Sequence, residues 1–323
     1  MKLFDRQRKS FVVLTGIILL ALLLAACGSA NSGSGGSSSN TTSGNGGKGC
    51  KKVGVLLPET ATSARWDSKD RPLLTQDIKN LIPGATVDYN NAEGSSSEQQ
   101  NQSDADLTKG DCILVEAAVD GQVAAATVTK AKAQGVPVIA YDRLIQSKDL
   151  AYYVSFDNVK VGQLQGQYIV AHYKSYLKGN NHNLVMINGA QTDNNAILFR
   201  QGALSALQPL IDNGSLKKLV DEYTPNWDNP TAQTEMQGAL TANQNNIQIA
   251  YVANDGMANS VIAALKSQHL NGKVLVTGQD ATVTGIQNIL TGDQGMTVYK
   301  AIAKEAMATA QLVAAISDGT DTA

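Results

Sequence analysis

The sequence predicts an α/β protein of two lobes, each built on a parallel sheet with helices on its faces. Three observations predict it. From residue 52 onward, short runs rich in β-branched residues alternate with longer stretches of helical period, the pattern of strands joined by crossover helices. The strand-like runs number ten, too many for one doubly wound sheet at this length, so two sheets of about five are expected. No stretch repeats at a period of about 20–50 residues, which argues against a stacked solenoid.

The expected strands of the first half are VGVLLP, ATVDYN, CILVEA, VPVIAYD and YYVSF; those of the second are NLVMIN, LKKLVDEY, IQIAYVAN, KVLVTG and MTVYK. Pro72 would interrupt a continuous helix from Arg65 to Leu81. It fits a first helical turn, where its missing N–H is not needed, and leaves RWDSKD as a turn or a short separate helical turn. Gly121 to Gln134 reads as a helix stopped at Gly135. Asp157 or Asn158 caps a long helix from Val159 to near Gly179, and Asp193 or Asn194 caps the next, through Leu210.

The first fifty residues are not part of this pattern. Lys2, Arg6, Arg8 and Lys9 precede the apolar run FVVLTGIILLALLLAA, which is short for a spanning helix of about 20 residues. The run ends in LAAC, which resembles a bacterial lipobox, with Cys27 as the lipidated residue; a plain secretory signal is the alternative. Residues 1–26 are then a signal peptide. Acyl chains on Cys27 would anchor the chain by about 0.8 kcal/mol per buried CH₂. Residues 27–50 are a Gly/Ser/Asn/Thr tether with no apolar face to bury. Export also bears on Cys50 and Cys112, each at the start of an apolar strand. Parallel neighbouring strands would bring them together as a disulfide worth roughly 4 kcal/mol by loop-closure entropy; two separate buried thiols are the alternative.

The formal charge of −2 supplies no basic field for nucleic acid. Aromatics are sparse at 5%, so the two tryptophans carry weight. Ligands of open α/β sheets bind beyond the carboxyl ends of the strands. Here those ends carry Asp142 and Arg143, Phe156 to Asn158, Asp193 to Asn195, Asn254 and Asp255, Gln279 and Asp280, and Lys300. Any one of these can be a helix cap or turn residue, but so many convergent planar and charged groups suit vicinal hydroxyls, which both donate and accept. Trp66, in RWDSKDR, follows the first strand, and Trp227, in TPNWDNP, follows a second-half strand. One indole from each lobe would grip the CH-rich faces of a sugar ring; partial burial against its own helix is the alternative for each.

The segments RWDSKDR, AYDR, YVSFDNVKVGQLQG, DNNAILFRQG, ALTAN, ANDGMA, GKVLVTGQDA, GI and MTVYK follow in order over roughly residues 52 to 320. In them the chain resembles the D-xylose-binding branch of the ribose/galactose-type periplasmic-binding-protein family of bacterial ABC sugar uptake. The resemblance implies a type I periplasmic-binding-protein fold: a first lobe of residues 51–157 and 301–323, a second of 158–300, and a hinge near Phe156–Asn158 and Lys300. It implies sugar contacts at Arg65, Trp66, Lys69, Asp142 and Arg143 from the first lobe, and at Asp193, Asn195, Trp227, Asn254, Asp280 and Lys300 from the second lobe and crossover. Asn194 lies beside this set. It also implies a monomer that binds D-xylose or a related monosaccharide and docks on an ABC permease; the residues themselves point to no cofactor and no metal site. Two departures stand out. The family continues past Ala323 through a third crossover and a final first-lobe strand, so the C-terminal part of the fold is expected to be missing. Pro72 alters the surroundings of Trp66 and Lys69.

An enzyme finds no support in the residues. There is no G-x-S-x-G elbow and no H-E-x-x-H, and His172, His182 and His269 lie away from the strand ends. Asp142 and Asp280 could mimic a glycosidase pair, but Arg143 and Lys300 nearby would keep them ionised as acceptors. Cys50 and Cys112 lack metal-site spacing. A sensor feeding a chemotaxis or two-component receptor would use the same lobes and is the alternative to transport.

Overall fold

The computed structural model describes residues 46–321. The expected signal peptide, Cys27 and the tether up to residue 45 lie outside the described residues. The first sheet contains β1 (Lys52–Leu57), β2 (Thr86–Asn91), β3 (Ile113–Glu116), β4 (Val138–Tyr141) and β5 (Tyr152–Val154), all parallel, in the order β2-β1-β3-β4-β5. The second contains β6 (Asn183–Asn188), β7 (Lys217–Tyr223), β8 (Ile249–Val252) and β9 (Leu275–Val276), also parallel, in the order β7-β6-β8-β9. In each sheet the winding reverses beside the first strand, which opens a crevice at the strand ends.

The central strands are apolar on both faces because both faces are covered. On one side of the first sheet, Leu74 and Ile78 of α1 (Arg71–Leu81) meet Ala306, Ala310, Val313 and Ile316 of α9 (Ile302–Asp318) over Val53, Val55 and Ile139. Burying Val313 and Ile316 completely stabilises by about 1.5–3 kcal/mol each, which ties the C-terminal helix to the first lobe. On the other side, α2 (Ser96–Lys109) and α3 (Ala125–Ala133) contribute Leu107, Val128 and Ala131 against Leu56, Leu114 and Ala140. In the second lobe α4 (Asn158–His172) packs on α5 (Asn194–Asp212), and α6 (Asn229–Ala242) on α7 (Asp255–Ser267), which α8 (Val283–Leu290) follows. The α4–α5 approach is backbone to backbone: a Cβ on Gly162 would lie 1.9 Å from the Phe199 carbonyl oxygen, and one on Gly202 2.0 Å from that of Val159. Only glycine fits there. Cys50 and Cys112, just ahead of the paired β1 and β3, are joined as a disulfide with Cα atoms 5.6 Å apart.

Several expectations need correction. MTVYK is not a strand. Its segment runs beside β9, with Gly295 N–H donating to Val276 O (2.8 Å) and Val298 N–H to Gly278 O (3.1 Å), but only the Gln279–Val298 bridge forms. Asp280 and Ala281 have φ of 94° and 48°, and this turn interrupts the ladder. The helix expected from Gly121 starts at Ala125, after a turn that Asp120 holds through the N–H groups of Gln122 and Val123. The helix from Val159 starts one residue earlier, capped by Asp157, and stops at His172, where a 3₁₀ turn over Tyr173–Tyr176 takes over. Ahead of Pro72 the backbone stays right-handed helical but widens: Trp66–Asp70 is a π turn, with Arg71 N–H bonded to Trp66 O.

Candidate functional site

The carboxyl ends of the two sheets face each other across a small cavity of about 30 Å³. A space of this size is well below that of ligand pockets, so a ring-sized ligand would have to widen it. Each wall residue is set by an element end. The π turn after β1 supplies Arg65 and Trp66, and the end of β4 supplies Asp142 and Arg143. Asp193 and Asn195 come from the start of α5, Trp227 from a 3₁₀ turn after β7, and Asn254 from the cap of α7. Asp280 follows β9, and Lys300 precedes α9. The structure therefore brings together all the expected contact residues except Lys69. The π turn directs Trp66 and Asp70 inward, and Lys69 between them is exposed, in a neighbouring groove beside Pro72 and Tyr299.

Both indoles are buried, Trp66 at 2% and Trp227 at 5% exposure. Two cations stand over Trp66: the Arg65 guanidinium carbon is 4.4 Å and that of Arg143 5.2 Å from its ring centroid. Trp227 donates from Nε1 to Asp193 Oδ2 (3.2 Å) and meets Phe199 edge-on at 6.3 Å. Its six-membered ring lies on Gly189, where a Cβ would come within 2.1 Å. Asp142, Trp227 and Asp280 have φ of 57°, 58° and 94°. Left-handed backbone at non-glycine residues is costly and collects at ligand sites.

The charges form one network. Arg65 uses four of its five N–H groups inside the protein: Nε and Nη2 grip Asp70 (2.9 and 2.6 Å), Nη2 also reaches Glu305 (3.0 Å), and Nη1 reaches Asp142 (2.9 Å). Lys300 Nζ donates to Asp142 Oδ2 at 3.2 Å and lies 3.7 Å from Asp280 Oδ1. Arg143 Nε pairs with Asp193 at 3.0 Å and its Nη1 bonds the Ala118 carbonyl at 3.2 Å. Burial acts to raise the Asp142 carboxyl, but the Lys300, Arg65 and Arg143 cations outweigh it and hold it well below the usual carboxylate range. Burial dominates at Asp193 and, with repulsion from Asp142, at Glu305, pushing both carboxyls up. Asp142 is thus an ionised acceptor set among cations. That suits hydroxyl binding and not acid catalysis.

The polar groups divide into two sets. Arg65, Asp142, Asp193 and Asn195 are largely engaged with other protein groups. Asp280 Oδ1, Gln279 Oε1 and Trp66 Nε1 are buried with no hydrogen-bond partner among the described residues, and the Asn254 side chain uses its oxygen to cap α7 through Met257 N–H. Unpartnered buried acceptors on a cavity wall fit a ligand rich in hydroxyl groups.

Sequence reasoning named Gln279 as a polar strand end but missed Phe199, Thr62 and Ser63 on the wall and the supporting groups Asp70, Tyr141 and Glu305. Phe199 was within reach, since it lies one helical turn beyond Asn195 on α5. Glu305 carried no local signal, because it reaches Arg65 from 240 residues away.

A family profile described as "Periplasmic binding protein domain" matches residues 56–321. The chain is 39% identical over 261 residues to the D-xylose-binding periplasmic protein of Haemophilus influenzae, covering 81% of this chain and 76% of that one. It is 37% identical over 268 residues to the D-xylose-binding periplasmic protein of Escherichia coli, covering 83% and 78%. Among solved structures it is similar to an ABC transporter solute-binding protein of Clostridium phytofermentans with bound β-D-glucose, at a TM-score of 0.74 and 30% identity, covering 82% of this chain and 84% of that one. The relatives are binding proteins that work outside the cytoplasm, not enzymes, and this chain belongs to the periplasmic binding protein family.

Proposed function

We propose that the chain captures a monosaccharide, D-xylose foremost, between its two lobes and delivers it to an ABC permease. One observation carries the reading: a polar cavity at facing strand ends, with an indole from each lobe and the unpartnered acceptor atoms Asp280 Oδ1 and Gln279 Oε1 on its wall. The xylose-binding relatives and the glucose-bound structural neighbour support a monosaccharide. In this reading residues 51–157 with 301–323, and residues 158–300, close about the crossovers near Asp157 and Lys300. Lys300, Asp280, Asn254 and Arg143 meet the hydroxyl groups, and Trp66 and Trp227 the ring. Cys27 carries the lipid that holds the chain on the outer face of the membrane through its tether.

Calorimetry on the chain lacking residues 1–27, across a panel of pentoses and hexoses, tests the reading. Heat with xylose exceeding that with ribose or glucose is expected. No heat with xylose but strong heat with ribose or galactose would reassign the ligand, and no heat with any sugar would remove the reading. Incorporation of labelled fatty acid, abolished by Cys27→Ser, tests the anchor.

A further inference from the structure

Gly54 stands inside β1, where a glycine weakens a strand and marks a close approach. Its neighbours on the α2 side of the sheet include carboxylates, at the end of the sheet opposite the cavity. A Cβ on Gly54 would lie 2.7 Å from Leu114 Cδ2, 2.9 Å from Asp106 Oδ2 and 3.2 Å from Asp111 Oδ2. Asp88, the residue paired with Gly54 on β2, adds a third carboxylate. One oxygen from each of the three aspartates lies within 4.8 Å of the others. Asp88 belongs to β2, Asp106 to α2, and Asp111 precedes β3, so no spacing along the chain marks the group.

Two lysines reach this group without satisfying it. Lys109 Nζ donates to Asp106 Oδ1 at 3.2 Å, and Asn90 Nδ2 to Asp106 Oδ2 at 2.7 Å. Lys52 Nζ donates to the Lys109 carbonyl oxygen at 2.7 Å. It stands 3.6 Å from both Asp88 Oδ2 and Asp111 Oδ1, beyond hydrogen-bond range. The Asp111 side chain is 0% exposed, and neither of its oxygens has a hydrogen-bond partner among the described residues. Buried carboxylate oxygens without a donor are costly. Two ammonium groups against three carboxylates also leave negative charge over.

We propose that Asp88, Asp106 and Asp111 form a cation site over Gly54 that takes Ca²⁺. Three carboxylates, with no nitrogen or sulfur ligand among them, suit a hard cation and not Zn²⁺. Ca²⁺ accepts irregular sets of oxygens, whereas Mg²⁺ demands a near-ideal octahedron. Water completes the shell from the side of Asp88, whose side chain is 33% exposed. Lys52, 36% exposed, is a tethered competitor whose ammonium swings outward as the metal enters. The bound ion ties the end of α2 to β2 and to the approach to β3, and so stabilises the first lobe. The site lies at the amino ends of the strands and does not rest on the sugar-binding reading.

The test titrates CaCl₂ into the full chain, stripped with EDTA and held in neutral detergent without sugar. A background of about 0.1 M KCl screens exposed charges. Calorimetry should show one Ca²⁺ per chain with a Kd of about 0.1–1 mM, the range of extracellular sites, and the melting temperature should rise with Ca²⁺. Lys52→Met removes the competing ammonium and should tighten Ca²⁺ several-fold. Asp111→Asn should abolish both the heat and the thermal shift. Lys52→Met alters the rim alone, so it decides the matter even if Asp111→Asn fails to fold. Three outcomes overturn the proposal: neither heat nor thermal shift with Ca²⁺ in the wild type and in Lys52→Met, binding by Lys52→Met no tighter than by the wild type, or wild-type binding retained in Asp111→Asn.

Discussion

Asp280→Asn separates ligand binding from stability. Asp280 sits past β9 at a φ of 94°, a region that Asn tolerates. Its side chain is 6% exposed, its Oδ1 has no hydrogen-bond partner among the described residues, and Lys300 Nζ stands 3.7 Å away, beyond hydrogen-bond range. A charged acceptor bonded to a hydroxyl contributes about 1.5–3 kcal/mol and a neutral one about 1, so replacing carboxylate by amide should weaken the sugar by about 0.5–2 kcal/mol, or roughly 2- to 30-fold. In the sugar-free protein the same change neutralises a carboxylate whose buried Oδ1 lacks a hydrogen bond and gives up only the long 3.7 Å ion pair with Lys300, which keeps Asp142 at 3.2 Å. The melting temperature without sugar should hold or rise as affinity falls, read by calorimetry and thermal denaturation on the same samples. Unchanged affinity with a lowered melting temperature would refute the reasoning, because Asp280 would then serve Lys300 and not the ligand.

Other changes probe separate parts of the fold. Trp227→Ala removes a ring face and the bond to Asp193, and should weaken xylose by about 1–3 kcal/mol in calorimetry; unchanged affinity would take Trp227 out of the site. Lys69→Ala should leave affinity unchanged, since Lys69 is exposed outside the cavity, and a tenfold loss would restore it as a contact. Replacing Cys50 and Cys112 by Ser opens a loop of sequence separation 62 and should cost about 4 kcal/mol in denaturant titration; two reactive thiols in the denatured, unreduced chain lacking residues 1–27 would show that no bond was present. Glu116, the buried last residue of β3, is pushed by burial from the usual 4.5 to about 8. The folded state thus holds a proton that the unfolded state releases, so this group's stabilisation is complete below pH 4.5 and is lost as pH rises to about 8. Glu116→Gln should flatten the fall in melting temperature between pH 5 and 8, and a slope equal to that of the wild type would discard this assignment.

The cavity wall was legible where it depends on strand ends. Asp142, Asp193, Asn254 and Asp280 each follow a β-branched run, and parallel sheets present such positions to one crevice. The errors came where local pattern and tertiary placement part. MTVYK has strand composition, but its neighbour turns left-handed at Asp280, so the ladder stops at one bridge. Lys69 shares a motif with Trp66, yet a π turn decides which side chains point inward. Glu305 and Tyr141 support Arg65 through contacts that no spacing along the chain reveals.

By itself the sequence determined the alternation of strand and helix, the division into two sheets, and the chemical types gathered at their ends, because hydrophobic period and capping residues act over a few neighbours. Only the tertiary structure decided which of those polar groups remain open to a ligand. A hydrogen-bonding group has a small, countable capacity. Whether Asn195 or Arg65 has any left depends on partners, such as Asp142 and Glu305, that folding brings from far along the chain.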